Sequence, residues 1–377
     1  MVSAVAGKSR QVVFPSRGEI TIDSIEVPAP GPEGILLRVA LVGICATDLH
    51  LLAGEIGDPF PLVPGHEFVG EIAAIGEEAA ATRDLAVGDR IAVEMLLPCR
   101  SCARCREGRY NLCEADDPAT AGHGRQYGVN IPRSVAPGLW GGYSDYLHVP
   151  GEAIVHRLDP DLPWERAVLV EPLAVASRAL ARGRLVPGED VVVIGPGPVG
   201  LLAAAAARAA GAGRVIVLGT RDERLALARR FGADAVVNTR TEDAVAAARA
   251  ALDGRLADLV VEIAGVPAAQ EQALGLVRRG GRVVLAGACG DGAALALRPD
   301  EDLLTREIDV LPSFLSAGGF EPAIALLERG GFPFEELVTH RFALEDAARA
   351  FAVVAGREGG VLKAVLDPSA APGGDGV

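Results

Sequence analysis

Lysine is almost missing from this chain: Lys8 and Lys363 are the only two among 36 lysines and arginines. The bias reads as the base composition of a GC-rich genome and is given no part in mechanism. Net positive charge is missing too. The formal charge is -14 at pH 7, which repels phosphate backbones and anionic lipid surfaces and sets nucleic acid and membrane aside as partners. No apolar run approaches the roughly 20 residues of a membrane span. The opening MVSAVAGKSRQVVF has no apolar core followed by a cleavage site, so a cytoplasmic location and a small-molecule partner are expected.

What is present has two textures. At 377 residues the chain is long enough for two domains, each with its own core. Up to about Gly151, short β-branched runs such as ILLRVALVGI and FVGEIAAIG, broken by Gly and Pro, read as a β-rich domain. From Asp190, DVVVIG, RVIVLG, ADLVVEIAG and GRVVLAG alternate with helical stretches, which implies an α/β fold with a doubly wound parallel sheet. The alternation stops between Leu311 and Phe320. Two helices, FEPAIALLERG and LEDAARAFAVV, and a strand, GVLKAVL, are then expected to rejoin the first domain. The expected divisions are 1–175, 176–315 and 316–377, the last ending in a disordered tail, DPSAAPGGDGV. No internal repeat is visible beyond the strand–helix alternation.

Cysteine is scarce, six in all, but four fall in CRSCARCREGRYNLC. Cys99, Cys102, Cys105 and Cys113 are separated by two, two and seven residues. In a reducing compartment clustered thiols are metal ligands before they are disulfides. Four sulfurs close a tetrahedral zinc with no open position, a site that holds shape. An iron–sulfur cluster is the lesser alternative. The interleaved Arg100, Arg104, Arg106 and Arg109 would suit a nucleic-acid zinc knuckle, but the acidity of the chain assigns them to a solvated surface.

A second group is spread over two motifs. GICATDLH supplies Cys45, Thr47, Asp48 and His50, and PGHEFVG supplies His66 and Glu67. Taken singly, Cys45 is a small buried apolar residue, His66 a structural histidine, Thr47 a strand threonine and Asp48 a turn residue. Together, a thiolate, an imidazole and carboxylates beside an independent structural lobe match the open ligand set of a catalytic zinc.

VVVIGPGPVG places Gly195, Gly197 and Gly200 directly after a strand, with Pro198 and Val199 opening a helix, the context that gives G-x-G-x-x-G its meaning as a dinucleotide turn. The glycines let the backbone approach a pyrophosphate, and the helix N-terminus offers it unpaired N–H groups. About twenty residues on, an acidic residue would hold the ribose of NAD. This chain has Gly219, Thr220 and Arg221 in RVIVLGTRDERL. Glycine removes the carboxylate that would repel a 2′-phosphate, Thr220 can donate to it and Arg221 can pair with it. NADP is therefore preferred to NAD, the alternative being that Arg221 only starts the next helix.

These motifs together resemble the zinc-dependent medium-chain alcohol and polyol dehydrogenases, nearest the sorbitol, threonine and glucose dehydrogenase branch. The likeness runs through GICATDLH, PGHEFVGEIAAIG, VGDRI, the cysteine lobe, EPLAVA, GPGPVG and GRVVLAG. It implies a GroES-like catalytic domain, a Rossmann domain, and two zinc ions per chain, one structural and one catalytic. It implies Cys45 and His66 as catalytic ligands. Glu171, in LVEPLAVA, stands where many relatives carry the third ligand, whereas in polyol-type relatives Glu67 can ligate instead; both carboxylates remain open. The Gly219-Thr220-Arg221 run is similar to the Gly-Ser-Arg pattern of NADP-using relatives.

The implied reaction is hydride transfer between a secondary alcohol, polyol or sugar-like substrate and a nicotinamide cofactor. Thr47 would take the substrate proton and pass it through the cofactor ribose toward His50, and Asp48 would fix the His66 tautomer. A homodimer or homotetramer is implied, with the strand around Ile308 to Phe314 as a contact. Ala46 departs from the glycine common in relatives. Two rival readings are a zinc-bound structural or binding protein on the same fold and a zinc-free reductase of activated double bonds. The long segment from Asp116 to Trp140 is expected to shape the substrate entrance, with Trp140 and Phe60 as walls or else as core aromatics. Cys289 is expected to be a packed thiol.

Overall fold

The structure, a computed structural model, describes residues 7–117, 119, 123–290 and 292–374. It divides into two compact units, Met1–Glu171 with Phe334–Val377, and Pro172–Pro333.

The first unit is built on a seven-stranded sheet. Its centre is strand Ile35–Gly43, ILLRVALVG, whose residues are almost all buried, as a strand covered on both faces requires. It pairs antiparallel with Glu67–Ile75 in a register that sets Gly43 opposite Glu67. At the same end it pairs with the last strand of the chain, Lys363–Asp367, where Val365 faces Gly43. Residues from the two ends of the sequence thus meet at one sheet position. Helix Ala46–Ala53 starts immediately after the central strand. Asp48 accepts the Cys45 N–H at 2.8 Å, the carboxylate half of a capping box, and Gly54 closes the helix in the left-handed region at φ 72°, where a residue without Cβ is unstrained.

The second unit is a six-stranded parallel sheet. Its strands lie in the order Ala235–Asn238, Val215–Gly219, Val191–Ile194, Ala257–Glu262, Val277–Leu285 and Asp309–Pro312. The expected α/β class and doubly wound parallel sheet are present. Strand order reverses between Val191–Ile194 and Ala257–Glu262, the switch point at which such sheets open a binding crevice. Helix Pro198–Ala209 is buried from Gly200 to Ala207; its run of alanines keeps it close against the sheet.

The units divide inside helix Val170–Arg182, and the chain leaves the second unit at Pro333, whereas the sequence reading placed that return at 316. Helix Phe320–Arg329 buries Phe320, Ala323, Ile324, Leu326 and Leu327 and contacts helix Pro198–Ala209. The end of the strand–helix alternation therefore precedes the end of the unit by one helix. Through Gly374 the tail expected to be disordered is tied down: Ser369 donates to Asp367 Oδ1 at 2.8 Å and Gly373 N–H to Asp346 Oδ2 at 2.9 Å. Residues 375–377 lie outside the described residues. Among the described residues no helix is long and apolar enough to cross a membrane.

Candidate metal and cofactor sites

The four clustered cysteines converge: the sulfurs of Cys99, Cys102, Cys105 and Cys113 all lie within 4.8 Å of one another. Cys99 and Cys105 sulfurs stand 3.9 Å apart, close to the roughly 3.8 Å edge of a tetrahedron with Zn–S bonds of about 2.3 Å. Short helix Ala103–Arg106 begins at Cys102, and backbone N–H groups aim at the sulfurs, Cys99 N to Cys113 Sγ at 3.4 Å, Cys102 N to Cys99 Sγ at 3.3 Å and Cys105 N to Cys102 Sγ at 3.4 Å. Such donors favour thiolate over thiol. The Ser101 hydroxyl and the neighbouring N–H groups lower the Cys99 pKa to about 6, while burial pushes Cys105 up to about 12. The set fits a metal with no vacant position.

The second group also assembles. Cys45, His66 and Glu67 place ligand atoms within 4.8 Å of one another. Cys45 is the N-cap of helix Ala46–Ala53, and Glu67 opens its strand opposite Gly43, where a Cβ would lie 2.1 Å from Glu67 Oε2. A side chain at 43 would fill the cradle. Asp48 is fully buried; its Oδ2 takes the Tyr143 hydroxyl at 2.8 Å and its Oδ1 lies 3.5 Å from His66 Nδ1. With Nδ1 facing Asp48 Oδ1, at a separation that makes no hydrogen bond, Nε2 is the nitrogen left for a metal; a slight approach of the carboxylate would fix the ligand's tautomer. Burial pulls the His66 pKa down, but Asp48 and Cys45 outweigh it and the net direction is strongly up.

Glu171, in the first turn of helix Val170–Arg182, is buried as well. Burial raises its carboxyl to about 7, partly offset by His66. Thr47 Oγ1 lies 3.7 Å from Cys45 Sγ. His50, one turn further along the helix, pairs its Nδ1 with Glu55 and is half-buried.

In the second unit the glycine turn has the shape a dinucleotide needs. Gly195 is at φ 107°, a Cβ on Gly200 would lie 1.8 Å from Gly195 O, and one on Gly197 would meet nothing within 4 Å. The turn is closed where chain meets chain and open where a pyrophosphate would lie. Gly197 is the N-cap of helix Pro198–Ala209, with Pro198 in its first turn followed by Val199. Gly219 ends strand Val215–Gly219; Thr220 is exposed, and Arg221 is half-buried as the N-cap of helix Asp222–Arg230, without a side-chain capping bond.

Residues 31–160 match the model of the alcohol dehydrogenase GroES-like domain and residues 198–329 that of zinc-binding dehydrogenases. A Mycobacterium tuberculosis protein named "Probable alcohol dehydrogenase adh" is 40% identical over 95% of this chain and 98% of its own length. Sorbitol dehydrogenase of Bacillus subtilis is 34% identical over 92% and 93%. The chain belongs to the zinc-binding medium-chain dehydrogenase family.

Among solved members, a Sinorhizobium meliloti protein bound to NADP superposes with a TM-score of 0.84, at 30% identity over 96% of this chain and all of that one. The short chain alcohol dehydrogenase rspB of Escherichia coli, complexed with NADH, gives 0.81 at 27% identity over 96% and 99%. This dehydrogenase is thus a zinc-containing, NAD(P)-dependent alcohol/polyol enzyme, with a structural four-cysteine site and a catalytic Cys/His/Glu site. The non-catalytic and zinc-free readings do not apply.

The dehydrogenase's metal site contains a residue to which the sequence reading gave no role. Lys363 Nζ lies 2.7 and 2.6 Å from the two Glu67 oxygens and donates to Ile44 O at 3.3 Å. The available signal was a lysine inside an apolar strand, VLKAVL, of a chain whose one other lysine is Lys8. Tyr143, the donor to Asp48, was missed for want of any spacing signal. Trp140 is a core aromatic: its Nε1–H donates to Val135 O at 2.8 Å and its ring packs on Tyr127 and His148. Phe60 lines an open pocket of about 450 Å³ with Ser16, Arg17 and Asp58. Residues 118 and 120–122 of the Asp116–Trp140 loop lie outside the described residues; Cys289 is half-buried.

Proposed function

We propose that this dehydrogenase prefers NADP, acts on a secondary alcohol, polyol or sugar-like substrate, and holds its catalytic zinc with Cys45, His66 and Glu171. The supporting observation is charge: Lys363 binds both oxygens of Glu67, so that buried carboxylate is already neutralised. Cys45 thiolate and Glu171 then balance a dication, with neutral His66 as the third donor. Zinc bound there supplies Lewis acidity toward a substrate hydroxyl, and the nicotinamide supplies the hydride acceptor.

The chain's own residues do the rest. Thr47 and His50 are three apart on one helix and so share a face; the hydroxyl near Cys45 takes the substrate proton and the half-buried imidazole carries it outward. Asp48, fixed by the Cys45 N–H and the Tyr143 hydroxyl, holds the His66 ring. NADP preference is supported by Gly219, Thr220 and Arg221, with no carboxylate at the end of strand Val215–Gly219. A homodimer or homotetramer and a cytoplasmic location belong to the same proposal.

The test is a panel of secondary alcohols, polyols and sugars with the zinc-loaded enzyme, kcat/KM being measured with each nucleotide. At least about tenfold in favour of NADP is expected from a single charge-assisted pairing with the 2′-phosphate. A ratio favouring NAD would overturn the cofactor assignment.

A further inference from the structure

Glu262 is fully buried at the end of strand Ala257–Glu262, and neither the zinc site nor the glycine turn employs it. Its register partner is Ile194 of strand Val191–Ile194, so it stands at the reversal of strand order, the place where open parallel sheets bind their ligands. A carboxyl there carries a desolvation cost that a valine or leucine would avoid. Its contacts show what is gained in return.

The backbone carbonyl of Glu262 accepts the N–H groups of Ala286 at 2.9 Å and Gly287 at 3.0 Å. Its side-chain Oε1 accepts the Gly265 N–H at 2.9 Å. Gln270, from helix Pro267–Leu276, donates to Gly287 O at 3.3 Å. The Glu262 backbone carbonyl and the Gln270 side chain therefore tie the loop after strand Ala257–Glu262 to the loop after strand Val277–Leu285, while the Glu262 carboxylate pins the first of these loops at Gly265. The tie is tight: a Cβ on Gly265 would lie 2.4 Å from Ala288 O, and one on Gly287 would lie 2.3 Å from Gly265 N. The same loop supports the dinucleotide turn, since a Cβ on Gly195 would lie 2.9 Å from Ala264 N. Glu262 Oε2 is buried without a hydrogen-bond partner. Burial correspondingly pushes the carboxyl pKa up.

We propose that the Glu262 side chain is a positioning residue of the cofactor site, which fixes loop 263–266 where it packs on loop 286–288, the two forming the surface that receives the nicotinamide half of the dinucleotide. The half is chosen by topology. The end of the second strand, with Gly219 to Arg221, takes the adenosine ribose, so the mononucleotide half formed by strands four to six takes the other nucleotide. This rests on the dinucleotide reading of the glycine turn.

The experiment compares the parent, Glu262→Ala and Glu262→Gln for binding of NADPH and NADH, followed by the fluorescence of the reduced nicotinamide. Binding of the adenine half alone, as adenosine 2′,5′-bisphosphate or AMP, is titrated calorimetrically. The expected result for Glu262→Ala is a dinucleotide Kd raised about tenfold or more, the effect of losing a buried hydrogen bond. The fluorescence enhancement falls, the adenine half binds within twofold of the parent, and zinc content is unchanged. Glu262→Gln keeps an oxygen for the Gly265 N–H and restores most of the affinity.

Unchanged dinucleotide binding in Glu262→Ala overturns the proposal. So does a loss that affects the adenine half equally, or a Gln variant as weak as the Ala one, because each describes a general packing role. Gln270→Ala carries the same expectation from the other side of the latch and decides the matter if Glu262→Ala does not fold. A parent that binds neither dinucleotide would sink the cofactor reading itself, an outcome separate from any variant's failure.

Discussion

Lys363 and Glu67 are 296 residues apart in sequence and share a buried ion pair, Nζ to Oε2 2.6 Å, with 4% and 1% of their side chains exposed. Removing the cation leaves a carboxylate buried without a partner, which costs about 3–5 kcal/mol. Lys363→Met is therefore expected to lower the urea midpoint of the zinc-loaded enzyme severely. The double variant Lys363→Met/Glu67→Gln recovers most of that loss. A single variant within about 1 kcal/mol of the parent would show that water reaches the pair.

The same pair shows what was legible in the sequence. Ligand types and spacings picked out Cys45, His66, Glu67 and the four-cysteine lobe as candidates, and the structure brings each group together, because metal chemistry restricts which residues can serve and how near in sequence some must stand. The alternation of apolar strands and helices identified the parallel sheet. Lys363 was not legible, because its role exists only through the pairing of Lys363–Asp367 with Ile35–Gly43 and of that strand with Glu67–Ile75. Helix Phe320–Arg329 was assigned to the wrong side of the division for a similar reason: an amphipathic pattern reveals an apolar face but not which core it covers.

Chelation should expose a pH dependence. Burial raises Glu171 to about 7 from 4.5. Burial lowers His66, yet Asp48 and Cys45 raise it overall above 6.5. In the zinc-free protein both groups keep protons that the unfolded chain releases at lower pH, so stability falls as pH rises. The Glu171 share is lost between 4.5 and about 7, about 3 kcal/mol at about 1.4 kcal/mol per unit. The His66 share is full below 6.5 and goes as pH climbs through its folded value. Urea midpoints of chelated protein between about pH 5 and pH 8 should slope downward, less so in Glu171→Gln; a rising profile would contradict the burial of Glu171 and the hold of Asp48 and Cys45 on His66.

Metal counting separates the two sites. Among the described residues two ligand groups assemble, so Cys45→Ser should reduce bound zinc from two equivalents to one and abolish turnover while leaving the cysteine lobe protected from thiol reagents. Cys102→Ser should also remove one equivalent, but with its three remaining thiols becoming reactive. Retention of both equivalents in Cys45→Ser would remove Cys45 from the ligand set.

Thr47 acts in this scheme through its hydroxyl alone. Thr47→Val keeps the shape and removes the proton acceptor, and alcohol oxidation should fall by about 10²- to 10⁴-fold in kcat with zinc content unchanged. Thr47→Ser should stay near the parent. Rates within about twofold for the valine variant would end the relay assignment.

The proposed NADP preference puts a second residue beside Gly219. A Cβ on Gly219 would lie 2.3 Å from Pro196 Cγ and 2.4 Å from its Cδ, so the proline of the glycine turn occupies the space that an acidic side chain would need. Gly219→Asp alone should therefore destabilise the second unit by about 1–3 kcal/mol through overpacking and weaken both nucleotides. Pro196→Ala/Gly219→Asp removes the ring and lets the carboxylate reach a ribose hydroxyl, so the kcat/KM ratio of NADP to NAD should fall below that of either single variant. If Gly219→Asp alone shifted the ratio as far as the double variant does, Pro196 would have no part in the choice. If neither shifted it, Thr220 and Arg221 would not be reading a 2′-phosphate at all.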